Sequence, residues 1–273
     1  MDNPAFSQLT WFERLAFRVM RFLNVSRIGR LWQRAMVTPF VGLVTSRRLR
    51  IHGLERLDGV PPDAPILLVA NHRTFFDLFI LGRILVTHPR LSRRLSFPVR
   101  SNFFYENPLG LLIAVVMTGG SMFPPFFRSA DKKGMNRHSL DILIEKLRTP
   151  GQMVGFHPEG TRNKTSDPYS MLPAQPGAGE LAIKARPIVI PAFILGMTNS
   201  LWAEIAANLR RERPVIAVFG KPMELPQTVG ETRLSHHKRF ADQMNQIIAG
   251  LGEEERALRN AASPPGPAAS AGS

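Results

Sequence analysis

Short apolar runs alternate along the chain with segments whose apolar residues recur every three or four positions. The run at 65–70, Pro-Ile-Leu-Leu-Val-Ala, has the length and unbroken hydrophobicity of a strand buried on both faces. Residues 152–157, 188–194 and 215–219 read the same way. Between them, 78–86 reads as a helix, and 136–147 sets Leu140, Leu143, Ile144 and Leu147 on one helical face. Residues 179–186 read as a helix stopped by Pro187, which lacks a backbone donor. Phe240, Met244, Ile247, Ile248 and Leu251 stripe a last helix. This alternation predicts an α/β fold, a mixed, largely parallel sheet flanked by helices.

The first fifty residues are patterned differently. Phe12, Leu15, Val19, Phe22 and Leu23 form one helical stripe with Arg14, Arg18 and Arg21 opposite. Ile28, Leu31, Trp32, Ala35, Met36, Pro39, Phe40, Leu43 and Val44 form a second, with Arg27, Arg30, Gln33 and Arg34 off it. The pattern predicts an N-terminal amphipathic helical pair. Glu13 and the arginines interrupt any apolar core of the signal-peptide kind. The same fifty residues hold nine arginines against Asp2 and Glu13, half of the chain's net charge of +14. Basic amphipathic helices carrying Trp, Phe and Leu suit a membrane interface, where each arginine adds roughly 1 kcal/mol of attraction to anionic lipid. The stripes also fit two ordinary helices packed on a domain, but both helices share the basic bias and together hold half the net charge, which favours the interface.

The chain therefore divides into helices at 1–48, one catalytic domain at 49–256 and a disordered tail at 257–273, which ends Ser-Pro-Pro-Gly-Pro-Ala-Ala-Ser-Ala-Gly-Ser. The longest uncharged run, 107–127, has the length to cross a bilayer. Pro108, Gly110, Gly119, Gly120, Pro124 and Pro125 break it, so the expectation is a short buried helix followed by an apolar loop. No internal repeat is visible.

At 273 residues the chain is one large domain or two small ones, and 44% hydrophobic with 21% charged residues excludes a wholly disordered polymer. It contains no cysteine, which excludes disulfides, thiolate metal sites and a cysteine nucleophile, and fits a reducing compartment. The positive charge attracts polyanions. Two tyrosines and no recognition module argue against nucleic acid, whereas eighteen phenylalanines cluster in apolar stretches that suit an acyl channel. Gly177-Ala178-Gly179 formally matches a dinucleotide fingerprint, but the preceding Leu-Pro-Ala-Gln-Pro cannot be a central strand. His236 and His237 are adjacent and point about 100° apart on a helix, so a solvated basic face is expected rather than a metal site.

Two segments carry candidate chemistry. Asn71-His72-Arg73-Thr74-Phe75-Phe76-Asp77 follows the strand at 65–70 and opens a helix, the end of the strand where α/β folds place ligands. With His72 in the turn and Asp77 in the first helical turn, the carboxylate can fix the imidazole tautomer and leave the other nitrogen to take a proton. The same residues also fit a helix-terminal acceptor beside a loop histidine. His157-Pro158-Glu159-Gly160-Thr161-Arg162 follows the strand at 152–157. Pro158 and Gly160 shape a tight loop that projects Glu159 and Arg162 into one region, where a planar guanidinium suits phosphate. A plain surface turn with a solvated arginine fits as well.

Together the two segments resemble the glycerophosphate and 1-acyl-glycerol-3-phosphate acyltransferase family. Its four sequence blocks appear in order: Asn71, His72 and Asp77; a glycine-led stretch ending at Arg128; 157–163; and the apolar 187–191. The resemblance runs from about residue 49 to 221. Phe127 before Arg128, the long stretch between Gly119 and Arg128, and Gln175-Pro176 before Gly177 depart from the family pattern. The resemblance implies acyl transfer from acyl-CoA or acyl-carrier protein to the hydroxyl of a lysophospholipid, 1-acyl-glycerol-3-phosphate above all or another lysolipid (lyso-aminolipid or lysophospholipid); the basic charge by itself also fits a non-enzymatic protein that binds anionic membrane. His72 would be the base and Asp77 its orienter, with Glu159 orienting the glycerol hydroxyl. Asn71, Arg128, Gly160, Thr161 and Arg162 would bind substrate, and Pro187, Ile190 and Pro191 would lie near the acyl donor. No metal or cofactor is implied, since the thioester supplies the driving force. The enzyme would work membrane-associated, at the cytoplasmic face of an anionic surface.

Overall fold

The computed structural model describes residues 4–227 and 233–262. In chain order the main elements are α1 (Trp11–Val25), α2 (Arg27–Trp32), α3 (Thr38–Thr45), β1 (Leu49–His52), β2 (Ile66–Ala70), α4 (Asp77–Thr87), β3 (Arg94–Arg100) and α5 (Ser101–Phe104). They continue with α6 (Pro108–Thr118), β4 (Met122–Phe126), α7 (Lys133–Leu147), β5 (Gln152–Phe156), α8 (Pro176–Ala185), β6 (Ile188–Leu195), α9 (Leu201–Arg210), β7 (Val215–Phe219) and α10 (Leu234–Ala262).

The seven strands form one sheet in the order β1-β7-β6-β2-β5-β3-β4. All neighbours are parallel except β6 and β7, which run antiparallel. The sheet is thus mixed and largely parallel. β2 lies at its centre and is buried along its whole length, because helices cover both faces. Ile66, Leu68 and Ala70 join α1 and α4 in one apolar layer, while Leu67 and Val69 join α7, α8 and α10 in the other. This is the period-two alternation of a strand serving two cores.

The strands expected at 65–70, 152–157, 188–194 and 215–219 form as β2, β5, β6 and β7. The apolar loop expected after the 108–118 helix is instead β4. Its Pro124 and Pro125 lack donors, and the strand sits at the sheet edge, where a ladder tolerates that loss. The helix before it, α6, is not buried: Gly110, Ala114 and Thr118 face inward, whereas Leu109, Leu112 and Val116 are exposed. Gly120, with φ +90°, follows it, and a Cβ there would meet the Asn24 nitrogen at 2.5 Å. Only glycine lets α1 approach so closely.

The N-terminal helices correct the expectation most. α1 starts at a capping box, in which Thr10 Oγ1 accepts from Glu13 N and Glu13 Oε2 from Thr10 N. It buries Glu13, Ala16, Phe17, Met20 and Asn24 against the domain. Two of these are polar and have dedicated partners: Glu13 pairs with Lys132 at 2.6 Å, and Asn24 donates to Ser96 and to Gly120 O. Hydropathy therefore misread the inward face. Trp11, Leu15 and Phe22 lie outside with Arg14, Arg18 and Arg21 rather than opposite them. Beyond Ser26, residues 27–45 form one helical rod with a π turn at Gln33–Val37. The wide turn accommodates Pro39, whose ring would strike a carbonyl in a regular α turn. Ile28, Leu31, Met36 and Leu43 are all exposed on it.

At the other end, α10 continues to Ala262. Residues 257–262 are therefore helix rather than tail, and Arg259 there donates to Pro214 O and Leu195 O. Residues 263–273 lie outside the described residues. His237, expected on a solvated face, is buried where α10 crosses Gly179 of α8.

Candidate active site

Both candidate loops leave the carboxyl ends of adjacent parallel strands, β2 and β5. The His72 Nδ1–H donates to Asp77 Oδ2 at 3.3 Å. Asp77 is 2% exposed and also accepts from the Arg73 and Thr74 amides at 2.8 and 2.7 Å and from Thr74 Oγ1 at 2.5 Å. The carboxylate at the start of α4 thus closes the loop before the helix, since its amide partners Arg73 and Thr74 precede α4, and it orients the ring; the contact fits the orienting reading rather than a helix cap. The imidazole remains partly exposed, and among the described residues Nε2 has no hydrogen-bond partner.

Asn163 N donates to His72 O at 2.7 Å and so ties the second loop to the first. Glu159 lies beneath this junction. Its Oε1 accepts from His72 N at 2.9 Å and its Oε2 from Leu172 N at 2.8 Å. Burial pushes the Glu159 carboxyl above the usual range, against the pull of the Leu172 and His72 amides. Each oxygen accepts one backbone amide, so Glu159 holds the loop that carries His72. Asn71 is likewise not at the surface: its amide exchanges two 2.9 Å hydrogen bonds with the Ile194 main chain and stitches β2 to β6. Pro187, Ile190 and Pro191 are buried in the sheet layer.

The exposed side of the site is cationic. Arg162 is exposed and donates to Asn199 Oδ1 at 3.0 Å. Gly160, with φ +66°, turns the loop, and its carbonyl accepts from Arg100 Nη2 at 3.3 Å. Arg100 ends β3 and Arg128 follows β4, so three guanidiniums converge from three strand ends. Burial lowers the Arg100 pKa, and the positive charges of Arg128 and Arg162 lower it further. Thr161 is half-buried beside them. Hydropathy marks neither Arg100 nor Asn199. Their signal is position, since both lie at the carboxyl ends of strands in the same layer. Asn199 also accepts from Phe75 N at 2.9 Å and so bridges the two candidate loops.

His157, which opens the second segment, is a third residue to which sequence reasoning gave no role. Its ring stacks on His72 with centroids 3.7 Å apart and planes 6° from parallel. Its Nδ1–H donates to Ala70 O at 3.0 Å. Among the described residues, His72, Asp77 and His157 are the set whose ligand atoms come close enough to hold a metal, within 4.8 Å of one another. Stacked rings keep their in-plane lone pairs parallel, whereas a metal about 2.0–2.1 Å from each nitrogen needs them convergent. The geometry is that of one imidazole, oriented by Asp77, stacked on a second.

A model described as acyltransferase matches residues 48–195. The chain is 29% identical over 204 residues to a 1-acyl-sn-glycerol-3-phosphate acyltransferase of Chlamydomonas reinhardtii, covering 75% of this chain and 54% of that protein. It is 23% identical over 188 residues to the enzyme of the same name from Saccharomyces cerevisiae, covering 69% and 57%. The chain thus spans about half the length of the curated relatives it matches. The crystal structure of a 1-acyl-sn-glycerophosphate (LPA) acyltransferase, PlsC, from Thermotoga maritima shares the fold, with a TM-score of 0.51 and 17% identity over 92% of this chain and 86% of that one. Because the matched stretch runs from the entry of β1 to the end of β6 and encloses the loops of His72 and Arg162, the chain belongs to the acyltransferase family.

Proposed function

We propose that this protein moves a fatty acyl group from acyl-CoA or acyl-carrier protein to the free hydroxyl of 1-acyl-glycerol-3-phosphate, giving phosphatidate. The carrying observation is His72, fixed by Asp77 through Nδ1, beside the open cluster of Arg100, Arg128 and Arg162. The relatives' names, 1-acyl-sn-glycerol-3-phosphate acyltransferases, support this acceptor. Three guanidiniums suit a phosphomonoester, whose oxygens accept paired N–H bonds.

In the proposed reaction His72 Nε2 takes the hydroxyl proton as the oxygen attacks the thioester carbonyl. Collapse of the tetrahedral intermediate forms the ester and breaks the C–S bond, and the imidazolium returns its proton to the departing thiolate. No covalent enzyme intermediate, metal or nucleotide is required. Phe40, Val44, Phe75, Phe79, Met117 and Met197 line an apolar cleft beside the His72 loop, and the acyl chain would part these side chains to enter.

We further propose that the protein works on an anionic membrane surface, on the face reached by a soluble thioester donor. No described helix is long and apolar enough to cross a membrane. Trp11 is 76% and Leu31 68% exposed, and with Phe22, Ile28, Met36, Leu109 and Leu112 they crowd the outer side of α1–α3 and α6. An apolar surface of this kind interspersed with arginines fits an interface. The direct test is acyl transfer from labelled acyl-CoA to a panel of lysolipids, read by product mass. Phosphatidate is the expected product. Turnover of another lysolipid with none of lysophosphatidate overturns the acceptor, and no transfer to any member overturns the reaction.

A further inference from the structure

At the other end of the sheet, a cavity of about 270 Å³ opens where the 27–45 rod crosses the amino-terminal ends of β3 and β5. Arg30, Arg34, Ser92, Arg93, Arg94 and Gln152 line it, and no carboxylate does. Along β5 it lies roughly 13 Å from the catalytic loop, taking about 3.3 Å per residue.

Two of the arginines are built into the wall. Arg93 donates to Pro61 O, Ala64 O and Arg90 O. Arg94 is 8% exposed and caps the end of α1 through Val25 O, Leu23 O and Ser26 O. Arg94 Nε is buried without a partner, and so is Gln152 Oε1. The amide of Gln152 has its oxygen and nitrogen placed by the network around it, so an anion beside it would turn the –NH₂ inward as a donor. The other two arginines stand at the mouth. Arg34 Nη2 donates to Ser92 Oγ at 3.0 Å, and the Arg30 guanidinium makes no hydrogen bond or ion pair among the described residues. Nearby, Lys146 is held at a pKa of about 8, first by burial and then by the charge of Arg94.

Four guanidiniums face one cavity whose lining holds no carboxylate, the acidic group that acts on them being Asp63 near Arg93, and two buried polar atoms there lack partners. Such an arrangement is costly when empty, and an oxyanion with several acceptor oxygens relieves it. We propose that this cavity is a second anion site, distinct from the catalytic centre, which binds a phosphate group, either free or as the head of a membrane lipid.

The test uses the full chain and two charge-matched double variants of exposed arginines, Arg30→Ala/Arg34→Ala at the cavity and Arg18→Ala/Arg21→Ala on α1. One arm titrates inorganic phosphate at constant ionic strength and reads thermal stability and binding. The other measures co-sedimentation with phosphatidylcholine vesicles, with and without added phosphatidate. A phosphate response weakened at least tenfold in the cavity variant and kept in the α1 variant identifies free phosphate. No phosphate response, with phosphatidate-dependent vesicle binding lost only in the cavity variant, identifies a lipid head. If the two variants behave alike in both arms, or neither probe binds the parent protein, the site does not exist.

Discussion

The ring of His157 lies flat against that of His72, 3.7 Å away. Burial, and then the neighbouring His72, drives the His157 pKa well below its ordinary 6.5, so this imidazole is a neutral platform at physiological pH. The consequence for stability has a definite sign. Below pH 6.5 the unfolded chain takes up a proton that the folded ring refuses, so His157 contributes fully above that value and loses stability as pH falls toward its folded pKa. His157→Phe keeps a ring on His72 and gives up the bond to Ala70 O, a loss of about 0.5–1.5 kcal/mol near neutrality. Urea unfolding across pH should show this deficit shrinking below pH 6.5. A deficit constant with pH would assign the ring no acid penalty.

His72 is the base in the proposed reaction, and its side chain makes one protein hydrogen bond from a partly exposed position. His72→Ala should therefore lower turnover by roughly 10²- to 10⁴-fold and leave the thermal midpoint almost unchanged. A near-normal rate removes His72 from the chemistry.

Glu159 separates a positioning role from a binding role. Its two oxygens hold the His72 and Leu172 amides. Glu159→Gln replaces one acceptor by a donor facing an N–H, at a cost of about 1–3 kcal/mol. The effect should fall on kcat and stability, with KM for the lysolipid little changed, because the bonds lost are those that hold the His72 loop. Steady-state kinetics read the split directly. A raised KM at unchanged kcat would return Glu159 to the glycerol hydroxyl, as the sequence resemblance implied.

These roles show where the sequence was legible. Ile66–Ala70 and Val215–Phe219 were readable because an unbroken apolar run has few fates other than a buried strand. Met122–Phe126 was not, since two prolines signal a loop unless the strand is known to lie at an edge. The spacing of His72 and Asp77 suggested their contact, because five residues spanning a turn and a helix start bring the groups together. Spacing could not tell whether Asn71 and Glu159 turn toward substrate or toward backbone. That depends on the amides of Ile194 and Leu172, which are far away in sequence. Arg100 was invisible for the same reason: it becomes part of the site only when β3 is laid beside β5.

Arg100 offers a sharp test of the phosphate cluster. Arg100→Gln keeps a polar side chain and removes the charge. A lost charge-assisted contact is worth about 1.5–3 kcal/mol, so kcat/KM for lysophosphatidate should fall roughly ten- to hundredfold. An acceptor alcohol without a phosphate should be almost unaffected. Equal losses on both acceptors would mean that Arg100 supports the Gly160 loop, through its bond to the Gly160 carbonyl, rather than the phosphate.

The membrane surface calls for substitution rather than truncation. Phe17 and Met20 of α1 are fully buried, and Arg94 is anchored on the carbonyls at the end of that helix, so deleting the N-terminus would unfold the sheet edge. Trp11, Phe22, Ile28 and Leu31 instead project outward, and changing all four to serine leaves the packed face intact. Fully burying a large apolar side chain is worth about 1.5–3 kcal/mol. The quadruple variant should therefore bind neutral vesicles at least a hundredfold more weakly at an unchanged thermal midpoint. Added anionic lipid should restore part of that binding at low salt, because the arginines remain and their attraction is screened as salt rises. Undiminished binding to neutral vesicles would show that this face is not what meets the membrane.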